Sequence, residues 1–453
     1  MSATLSLDQL SAAVEAGEID TVMTAVVDMQ GRLMGKRFHA AHFLERAGAE
    51  THGCDYLLAL DVEMTPVPGY ASASWERGYG DYVHRPDLST LRRAAWEPSS
   101  ALVMCDLLDH HGEPVAVAPR NVLRRQVERA RALGLEPMMA TELEFFLFEE
   151  SFEQLWDEGY RRMTPLVRWN NDYNLYGSSK EEAVMRPLRR ALWESGVPVE
   201  NTKGEAEAGQ HEVNVRYGPA METADHHAVV KTAVKQVAAA AGRSVTFMAK
   251  YATDRAGSSS HIHQSLWRDG RNAFLDRGAP HGMSELMRSY LAGLLAHADA
   301  TTLFLAPFVN SYKRFTVGMF APTKAVWSRD NRTAGYRVCG EDTGAIRVEC
   351  RIGGADLNPY MALAALLAAG LDGIEKGLVL EEEMAGDMYR AEGARRIPAT
   401  LRDAAEAARR SDMLRAAFGD EVVEHYHHAA RWEIGEAERS VTDWDRRRGF
   451  ERL

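Results

Sequence analysis

Residues 256–267 read Ala-Gly-Ser-Ser-Ser-His-Ile-His-Gln-Ser-Leu-Trp, and they predict the strand around which the rest of the chain is organised. Side chains alternate between the two faces of a strand, so His261, His263 and Ser265 share one face. Gly257 and the serines after it form a narrow polar entry, where a ligand can approach the main chain closely. One imidazole here could bind a metal ion and the next a phosphate. Alone, a His-x-His pair is more often a solvated surface strand.

Two acidic segments upstream favour the metal-binding interpretation. Glu142 and Glu144 leave one face of a strand predicted over residues 137–148, and the phenylalanines that follow them indicate that this strand is buried. Buried carboxylates need partners, and two side by side resist joint ionisation unless a cation lies between them. Residues 204–212 (Gly-Glu-Ala-Glu-Ala-Gly-Gln-His-Glu) add more carboxylates among small residues, which let the backbone fold around a cation or a polyphosphate. A solvated strand face and a flexible acidic loop are the alternative interpretations.

A third cluster is rich in arginine. Residues 346–351 alternate as a strand that places Arg347, Glu349 and Arg351 on one face, which suits either a structural ion-pair ladder or an anion site. Nearby in sequence are three further guanidinium groups: Arg314, Arg332 and Arg337. Together with the carboxylates and the His-x-His pair, these arginines indicate a site for ATP and a dicarboxylate. Carboxylate and histidine ligands suit Mg²⁺ or Mn²⁺.

Composition places the chain among ordinary globular proteins. With 453 residues, 45% hydrophobic and 26% charged, it is long enough for two or more domains. The net charge of −12 argues against nucleic acid as a partner. No apolar run reaches the length of a membrane span, and the N-terminal residues lack a signal-peptide pattern. Four scattered cysteines read as reduced thiols, so we expect a cytoplasmic protein.

Hydrophobic periodicity and turn residues predict an α+β protein. The first hundred residues predict a small mixed module, with a helix over 6–16, a hairpin over 21–38, strands over 54–62 and 101–107, and an ordered loop over 66–87. A proline-containing segment over 113–119 then marks a domain boundary. The remainder predicts helices over 120–133, 179–195, 223–241, 284–300 and 358–375, strands over 137–148 and 346–351, two strands around an acidic turn within 197–217, and a helical tail from residue 399.

In their order along the chain, these motifs resemble those of the glutamine synthetase superfamily, prokaryotic type I. The resemblance runs from about residue 101 to the C-terminus. The blocks that carry it are Glu142-x-Glu144-Phe-Phe, Glu205-x-x-x-Gly209-Gln210-x-Glu212, Gly257-Ser-x-x-His261-x-His263-x-Ser265, Asn310-Ser-Tyr-Lys-Arg314, Asn331-Arg332 and Arg347-x-Glu349-x-Arg351. The resemblance implies an N-terminal β-grasp domain, here residues 1–112. It implies a catalytic domain over residues 113–453, with a curved antiparallel sheet flanked by helices.

The resemblance also implies roles for individual residues. It implies one divalent-ion site of Glu144, Glu205 and Glu212, and a second of Glu142, His261 and Glu349. It implies nucleotide contacts from Glu200, His263, Ser265, Arg337 and Arg347. It implies a glutamate site of Gly257, Arg314 and Arg351, and it makes Arg332 the arginine of phosphoryl transfer. Members of the superfamily form γ-glutamyl phosphate from ATP and glutamate, and an amine then displaces phosphate. Their active sites lie between subunits of a double-ring dodecamer, so we expect a homo-oligomer.

This chain departs from the superfamily pattern where ammonium would bind. The family's Asp-Gly-Ser-Ser tetrad is absent from the N-terminal region. Where the family has Gly-Tyr-Glu-Ala-Pro, this chain has Gly-Met-Phe-Ala-Pro, so Phe320 replaces an acid. Phe320 therefore predicts an amine pocket in place of an ammonium site. A base must still take a proton from the amine, and the candidates are Glu63, Glu76, Asp81 and Glu341.

The sequence thus predicts an ATP-dependent ligase that joins glutamate to an organic primary amine and gives a γ-glutamylamide. Ethanolamine, a short alkylamine and a polyamine such as putrescine are the candidate amines. The alternatives are a non-catalytic paralogue with a regulatory or binding role, and an ordinary ammonium-using glutamine synthetase. Tyr389 lies near the position of the family's adenylylated tyrosine, and we expect it to be unmodified.

Overall fold

The structure is a computed structural model that describes residues 4–75 and 78–453. Its strands are β1 Thr21–Val27, β2 Leu33–His39, β3 Thr51–Cys54, β4 Asp81–Pro86, β5 Arg92–Arg93, β6 Ser100–Leu108, β7 Glu136–Phe148, β8 Val199–Gly204, β9 Gln210–Val215, β10 Gly218–Pro219, β11 Ser244–Thr246, β12 Ser260–Arg268, β13 Arg271–Asn272, β14 Trp327–Arg329, β15 Tyr336–Cys339 and β16 Arg347–Cys350. Its α-helices are α1 Leu7–Glu15, α2 Ala40–His42, α3 Pro119–Ala132, α4 Phe152–Asp157, α5 Leu175–Ser179, α6 Glu182–Glu194, α7 Ala220–Ala240, α8 Glu285–Ala296, α9 Ala298–Leu305, α10 Pro359–Glu375, α11 Leu401–Arg409, α12 Asp412–Phe418, α13 Asp420–Arg439 and α14 Asp443–Gly449.

The first hundred or so residues form a small sheet with the strand order β2-β1-β6-β4-β3, and β5 pairs with β6. The predicted hairpin is confirmed, because β1 and β2 are antiparallel neighbours. Asp28 holds its turn, since its Oδ1 accepts hydrogen bonds from the backbone N–H of Gln30 and of Arg32. The helix predicted at the start is α1, and Ser6 caps it, because its side chain accepts a hydrogen bond from Gln9 N–H.

Three of the predicted elements are wrong in detail. The strand predicted over 54–62 ends at Cys54, and Asp55–Leu58 is a 3₁₀ helix. Gly80 N–H donates to the side-chain carboxylate of Asp55 at 3.1 Å instead of to a main-chain carbonyl, so the ladder stops there. The loop predicted over 66–87 contains β4 at its end. The helix predicted over 284–300 is broken at His297 into α8 and α9.

The larger sheet has the order β14-β15-β16-β12-β7-β9-β8, with β10 and β11 added to β7 and β13 added to β12. Its pairs are antiparallel except for β14 with β15. The two longest predicted strands of this region, β7 and β12, are direct neighbours in the middle of the sheet. Side chains that β7, β12 and their flanking strands present on the same face of the sheet therefore lie close to one another.

Helix α10 forms the centre of the core behind this sheet. It is buried from Pro359 to Gly373, as its continuous run of apolar and small residues predicts. A Cβ atom at Gly373 would lie 2.2 Å from the carbonyl oxygen of Ser289, so the glycine allows α8 to pack directly on α10. One hydrophobic cluster includes residues of both sheets and of these helices.

A buried ion-pair network joins the small sheet to the helices. The Arg120 guanidinium on α3 lies 2.8 Å from Asp87 and 3.1 Å from Asp225 on α7, and it also contacts Asp106 on β6.

Within residues 4–75 and 78–453, no helix combines the length and the hydropathy needed to cross a membrane. The order of the elements makes the fold class α+β, as predicted, with a small N-terminal sheet beside a larger, mostly antiparallel sheet backed by helices.

Candidate active site

Cross-strand pairing brings the predicted metal ligands together. His261 on β12 lies directly opposite Glu142 on β7, and Glu212 on β9 lies directly opposite Glu144. Residues opposite one another in neighbouring strands point to the same face, so these side chains converge. The structure groups the ligand atoms of Glu142, His261 and Glu349 within 4.8 Å of one another, and it groups those of Glu144, Glu205 and Glu212 equally closely.

The first group is tied into a hydrogen-bonded relay. Arg347 Nε donates to His263 Nδ1 at 3.0 Å, so the proton of this imidazole is on Nε2, which lies 2.6 Å from Glu142 Oε1. Burial opposes ionisation of Glu142, but the hydrogen bond that it accepts from His263 outweighs burial and holds the pKa at about 2. Glu142 is therefore an ionised carboxylate at neutral pH.

Glu349 and His261 complete the first group. Glu349 is 1% exposed, and it lies 3.0 Å from Arg337 Nη1 and also contacts Arg351 Nη1. Burial disfavours its charge, yet these arginines hold its pKa well below the usual range. Burial and then the charge of Arg351 lower the pKa of His261 to about 3, so its imidazole is neutral, as a metal ligand must be. Its Nδ1 is buried without a hydrogen-bond partner among the described residues.

The second group crowds three carboxyls with too little positive charge. Burial and then Glu205 raise the pKa of Glu144 to about 7, although Ser259 N–H donates to Glu144 Oε2 at 2.8 Å. Burial and then Glu142 and Glu144 raise the pKa of Glu212 to about 9. Such carboxyls ionise together only when a cation lies among them.

Both groups fit a divalent cation of the Mg²⁺ or Mn²⁺ type. Their donors are carboxylate oxygens and one imidazole, which are the ligands that hard divalent ions accept. The unpartnered His261 Nδ1 and the three crowded carboxyls are the features of the protein itself that a bound cation would satisfy.

Two cavities meet at this face of the sheet, and both are lined by Glu142, Glu200 and Asn214. One has a volume of about 460 Å³, and its lining includes His263, Ser265 and Arg347. The other has a volume of about 790 Å³. Its lining includes all six predicted metal ligands together with Gly257, Phe320, Arg332, Arg337 and Arg351. Arg337, predicted among the nucleotide contacts, thus lines the cavity of the metal ligands and not the smaller one.

Among the residues predicted to bind metal, nucleotide, glutamate or the phosphoryl group, Arg314 is the one that lines neither of these two cavities. It is 1% exposed and lies behind the site, where its guanidinium donates to Ser259 Oγ at 2.7 Å and to the carbonyl oxygens of Arg351 and Ile352. A Cβ atom at Gly257 would lie 2.6 Å from Arg314 Cγ and 2.4 Å from the carbonyl oxygen of Ala249. Only glycine therefore lets this segment pass so close to the arginine.

A sequence model of the glutamine synthetase catalytic domain matches residues 116–449, which is most of the chain. The chain belongs to the glutamine synthetase family. Among its relatives, the γ-glutamylethanolamide synthetase GlnA4 of Streptomyces coelicolor is 48% identical over 451 residues, which are 99% of this chain and 96% of that protein. The glutamate–isopropylamine ligase of a Pseudomonas species is 36% identical, and the match covers 95% of each chain.

Solved structures agree on the fold of this glutamine synthetase family member. A GmaS chain in complex with ADP superposes with a TM-score of 0.85 at 27% identity, covering 98% of this chain and 100% of that one. An apo GmaS chain without ligand gives a TM-score of 0.86 at 28% identity, with the same coverage.

In this family member, Phe320 lies at the rim of the larger cavity. Its side chain is 67% exposed, and its backbone has a φ of 59°, which is strained for an aromatic residue. Residues with such strained backbone conformations are common at active sites and ligand-binding segments. The family motif has glutamate at this position, so the rim offers a ring where an acid would stand.

Of the predicted base candidates, the three that the structure describes do not line this family member's cavities. Glu76 lies outside the described residues. Glu341 pairs with Arg329 at 3.0 Å, and it is not part of either cavity lining. Glu63 and Asp81 belong to the N-terminal sheet region and are also absent from both linings.

Sequence reasoning missed several residues of the glutamine synthetase cavity. Lys203 on β8 contacts Glu205 and lies 3.1 Å from Asp172, and Asp172 and Tyr173 both line the larger cavity. Trp267 and Tyr217 line the smaller one. Asp172 lies in an irregular segment without periodicity, and the only signal that could have pointed to it is the turn-forming composition Asn-Asn-Asp-Tyr-Asn of residues 170–174.

Proposed function

We propose that this chain is an ATP-dependent ligase that joins the γ-carboxyl group of glutamate to an organic primary amine and forms a γ-glutamylamide. The observation that carries the proposal is Phe320, an aromatic residue at the rim of a cavity that retains all six acidic and histidine ligands. The relatives named for glutamate–amine ligation, which match almost the whole chain, support it. Ethanolamine and short alkylamines are the amines that we favour over a polyamine.

The smaller cavity suits the nucleotide, with Glu200, His263, Ser265 and Arg347 at its wall. Glu142, His261 and Glu349 would hold one Mg²⁺ or Mn²⁺ ion, and Glu144, Glu205 and Glu212 would hold a second. When bound, such ions offset the negative charge of the phosphates. The His263–Arg347 pair keeps Glu142 ionised, so this carboxylate is ready to bind a cation at neutral pH.

Arg332 and Arg351 suit the anions of the larger cavity. Arg332 is exposed there, and Arg351 Nε donates to its carbonyl oxygen at 3.1 Å, which fixes the backbone of Arg332. We propose that Arg332 binds the transferred phosphoryl group and that Arg351 binds glutamate, with Arg314 holding Arg351 and the Gly257 segment from behind. An arginine stabilises a phosphoryl group because its planar fork donates two hydrogen bonds.

Two alternatives differ from this proposal at identifiable residues. An ordinary ammonium-using glutamine synthetase is disfavoured because Phe320 can neither form a salt bridge with ammonium nor accept a proton. A non-catalytic paralogue is disfavoured because the two ligand groups keep all their carboxylates and the histidine, at distances that fit metal ions.

The experiment that tests the proposal is an amine panel. Purified protein is incubated with ATP, Mg²⁺ and glutamate, and with ammonium, ethanolamine, ethylamine, isopropylamine or putrescine in turn. Mass spectrometry should find a γ-glutamylamide and phosphate with at least one primary amine. Glutamine as the main product would favour the ammonium enzyme, and no amine-dependent phosphate release would favour the non-catalytic paralogue.

Replacing the aromatic residue at the rim should change the preference among amines. Phe320→Glu places a carboxylate beside the incoming nitrogen, where it favours a small cation and costs desolvation when an alkyl group packs against it. We expect the ratio of kcat/KM for ammonium to kcat/KM for the best amine to rise at least tenfold. Phe320→Leu is the matched control, because it keeps an apolar rim and should leave the ratio within about threefold. An unchanged ratio in Phe320→Glu would remove Phe320 from the amine pocket.

The remaining parts of the proposal concern the whole protein. We propose an N-terminal domain over residues 1–112, a catalytic domain over 113–453, and a homo-oligomer of the family's double-ring, dodecameric type. The four cysteines are free thiols, which supports a cytoplasmic location. We propose that Tyr389 is not modified.

A further inference from the structure

A short irregular segment before α5 reaches the larger cavity with two residues that have no assigned role. Asp172 and Tyr173 line this cavity together with Phe320 and Glu205. Tyr173 is 72% exposed and has a φ of 54°, so it is a second aromatic residue held in the left-handed region at the same cavity. Side chains in that conformation persist only where the surroundings fix the backbone.

Buried contacts fix this segment. Asn171, the neighbour of Asp172, is fully buried. A Cβ atom at Gly204 would lie 2.5 Å from Asn171 Nδ2, and one at Gly177 would lie 2.7 Å from Asn171 Cβ, so two glycines make room for this side chain. The segment is thus anchored against β8, the strand that leads to Glu205.

The contacts of Lys203 show which chemical group fits this segment. The Lys203 ammonium lies 3.1 Å from Asp172 Oδ1 and 4.5 Å from the centre of the Tyr173 ring. A carboxylate and an aromatic face together are the partners that a protonated amine prefers. The alkylammonium group of Lys203 therefore already lies between the Asp172 carboxylate and the Tyr173 ring.

We propose that Asp172 and Tyr173 recognise the ammonium group of the incoming primary amine. The inference rests on the proposed function and names the residues that select its amine substrate. Lys203 contacts both Asp172 and Glu205, so its ammonium competes with the substrate for Asp172. Phe320 and Tyr173 then offer two rings for the carbon substituent, which suits monoamines with a short alkyl or hydroxyalkyl chain.

The test combines kinetics with direct binding. Ethylamine and ethanolamine are titrated by calorimetry into the protein with Mg²⁺ and ADP present, and KM values for amine, glutamate and ATP are measured by phosphate release. Asp172→Asn should weaken amine binding and raise the KM for amine at least tenfold, because a charge-assisted hydrogen bond becomes a neutral one. KM values for ATP and glutamate should stay within about twofold.

Four further variants separate recognition from a structural role. Tyr173→Phe keeps the ring and should bind amine like the wild type, whereas Tyr173→Leu should bind it several-fold more weakly. Lys203→Met removes the competing ammonium, and calorimetry should then show unchanged or tighter amine binding. Asp157→Asn makes the same charge change at an exposed position on α4 and should have no effect.

Each outcome decides the proposal. Unchanged amine binding in Asp172→Asn overturns it, as does an equal rise in the KM values for all three substrates, which would show a structural role. Weaker amine binding in Lys203→Met would show that Asp172 serves only to neutralise that lysine, and would also overturn it. If the wild type forms no amide with any amine, the proposed function fails, and calorimetry alone then decides whether Asp172 and Tyr173 bind an amine.

Discussion

Glu212→Gln should abolish ligation, with a loss in kcat/KM of about a hundredfold or more. Glu212 belongs to the group that also contains Glu144 and Glu205, and a neutral amide leaves a divalent cation among them under-coordinated. A poorly held cation offsets less of the phosphate charge, and each factor of ten in rate corresponds to about 1.4 kcal/mol. Steady-state kinetics across a range of Mg²⁺ and Mn²⁺ concentrations measures the effect.

Thermal unfolding gives the same variant a second readout. The pKa of Glu212 is raised from 4.5 to about 9, first by burial and then by Glu142 and Glu144. A carboxyl with a raised pKa in the folded state lowers stability as pH rises between those two values, because ionisation favours the unfolded chain. In a chelating buffer at pH 7 to 8, Glu212→Gln should therefore melt at the same or a higher temperature than the wild type. On adding Mn²⁺, the wild type should gain more than the variant.

A matched control separates this effect from a general loss of charge. Glu194→Gln changes an exposed carboxylate on α6 that is outside both cavities, and it should keep wild-type kinetics and the full response to Mn²⁺. Near-wild-type turnover of Glu212→Gln at saturating Mg²⁺ would show that the carboxylate group is not a metal site.

Arg332→Lys should lower kcat by about a hundredfold or more and change the KM for ATP much less. Arg332 is exposed in the larger cavity, while Asn331 Nδ2 donates to the carbonyl oxygen of Gly386 at 2.8 Å and fixes the turn before it. A lysine keeps the charge but loses the planar fork that donates two hydrogen bonds to phosphoryl oxygens. The effect should therefore fall on the transition state.

The control for this variant is Arg190→Lys, a conservative change at an exposed arginine on α6. It should match the wild type in kcat and in every KM. Single-turnover measurement of phosphate release distinguishes the phosphoryl step from product release. A loss in Arg332→Lys that appears wholly as a higher KM for ATP would assign Arg332 to nucleotide binding.

Much of the site could be predicted because its ligands lie on strands, where the alternation of side chains decides which residues share a face. Alternation along one strand puts Glu142 and Glu144 on one face, and His261 faces Glu142 once β7 and β12 pair. The grouping of His261 with Glu142 was implied only by the family resemblance, and the sequence did not predict the register of the two strands, which depends on distant residues.

Other features could not be predicted because tertiary contacts decide them. Arg314 has the sequence context of a substrate ligand, yet its position behind Gly257 follows from how close two segments pass in the fold. Asp172 meets Lys203 across a gap of 31 residues, through an anchor at Asn171 that no periodic pattern marks. The end of β3 at Cys54 depends on the hydrogen bond that Gly80 N–H, just before β4, donates to the Asp55 carboxylate.

The most direct test of the central claim is the ratio of kcat/KM for the best primary amine to kcat/KM for ammonium in the wild-type protein. Both values are measured by phosphate release at saturating ATP, Mg²⁺ and glutamate, with the products identified by mass spectrometry. Phe320 at the rim of a cavity that retains its ligand groups predicts a ratio far above one, with a γ-glutamylamide as the product. A ratio at or below one, with glutamine as the product, would contradict the account.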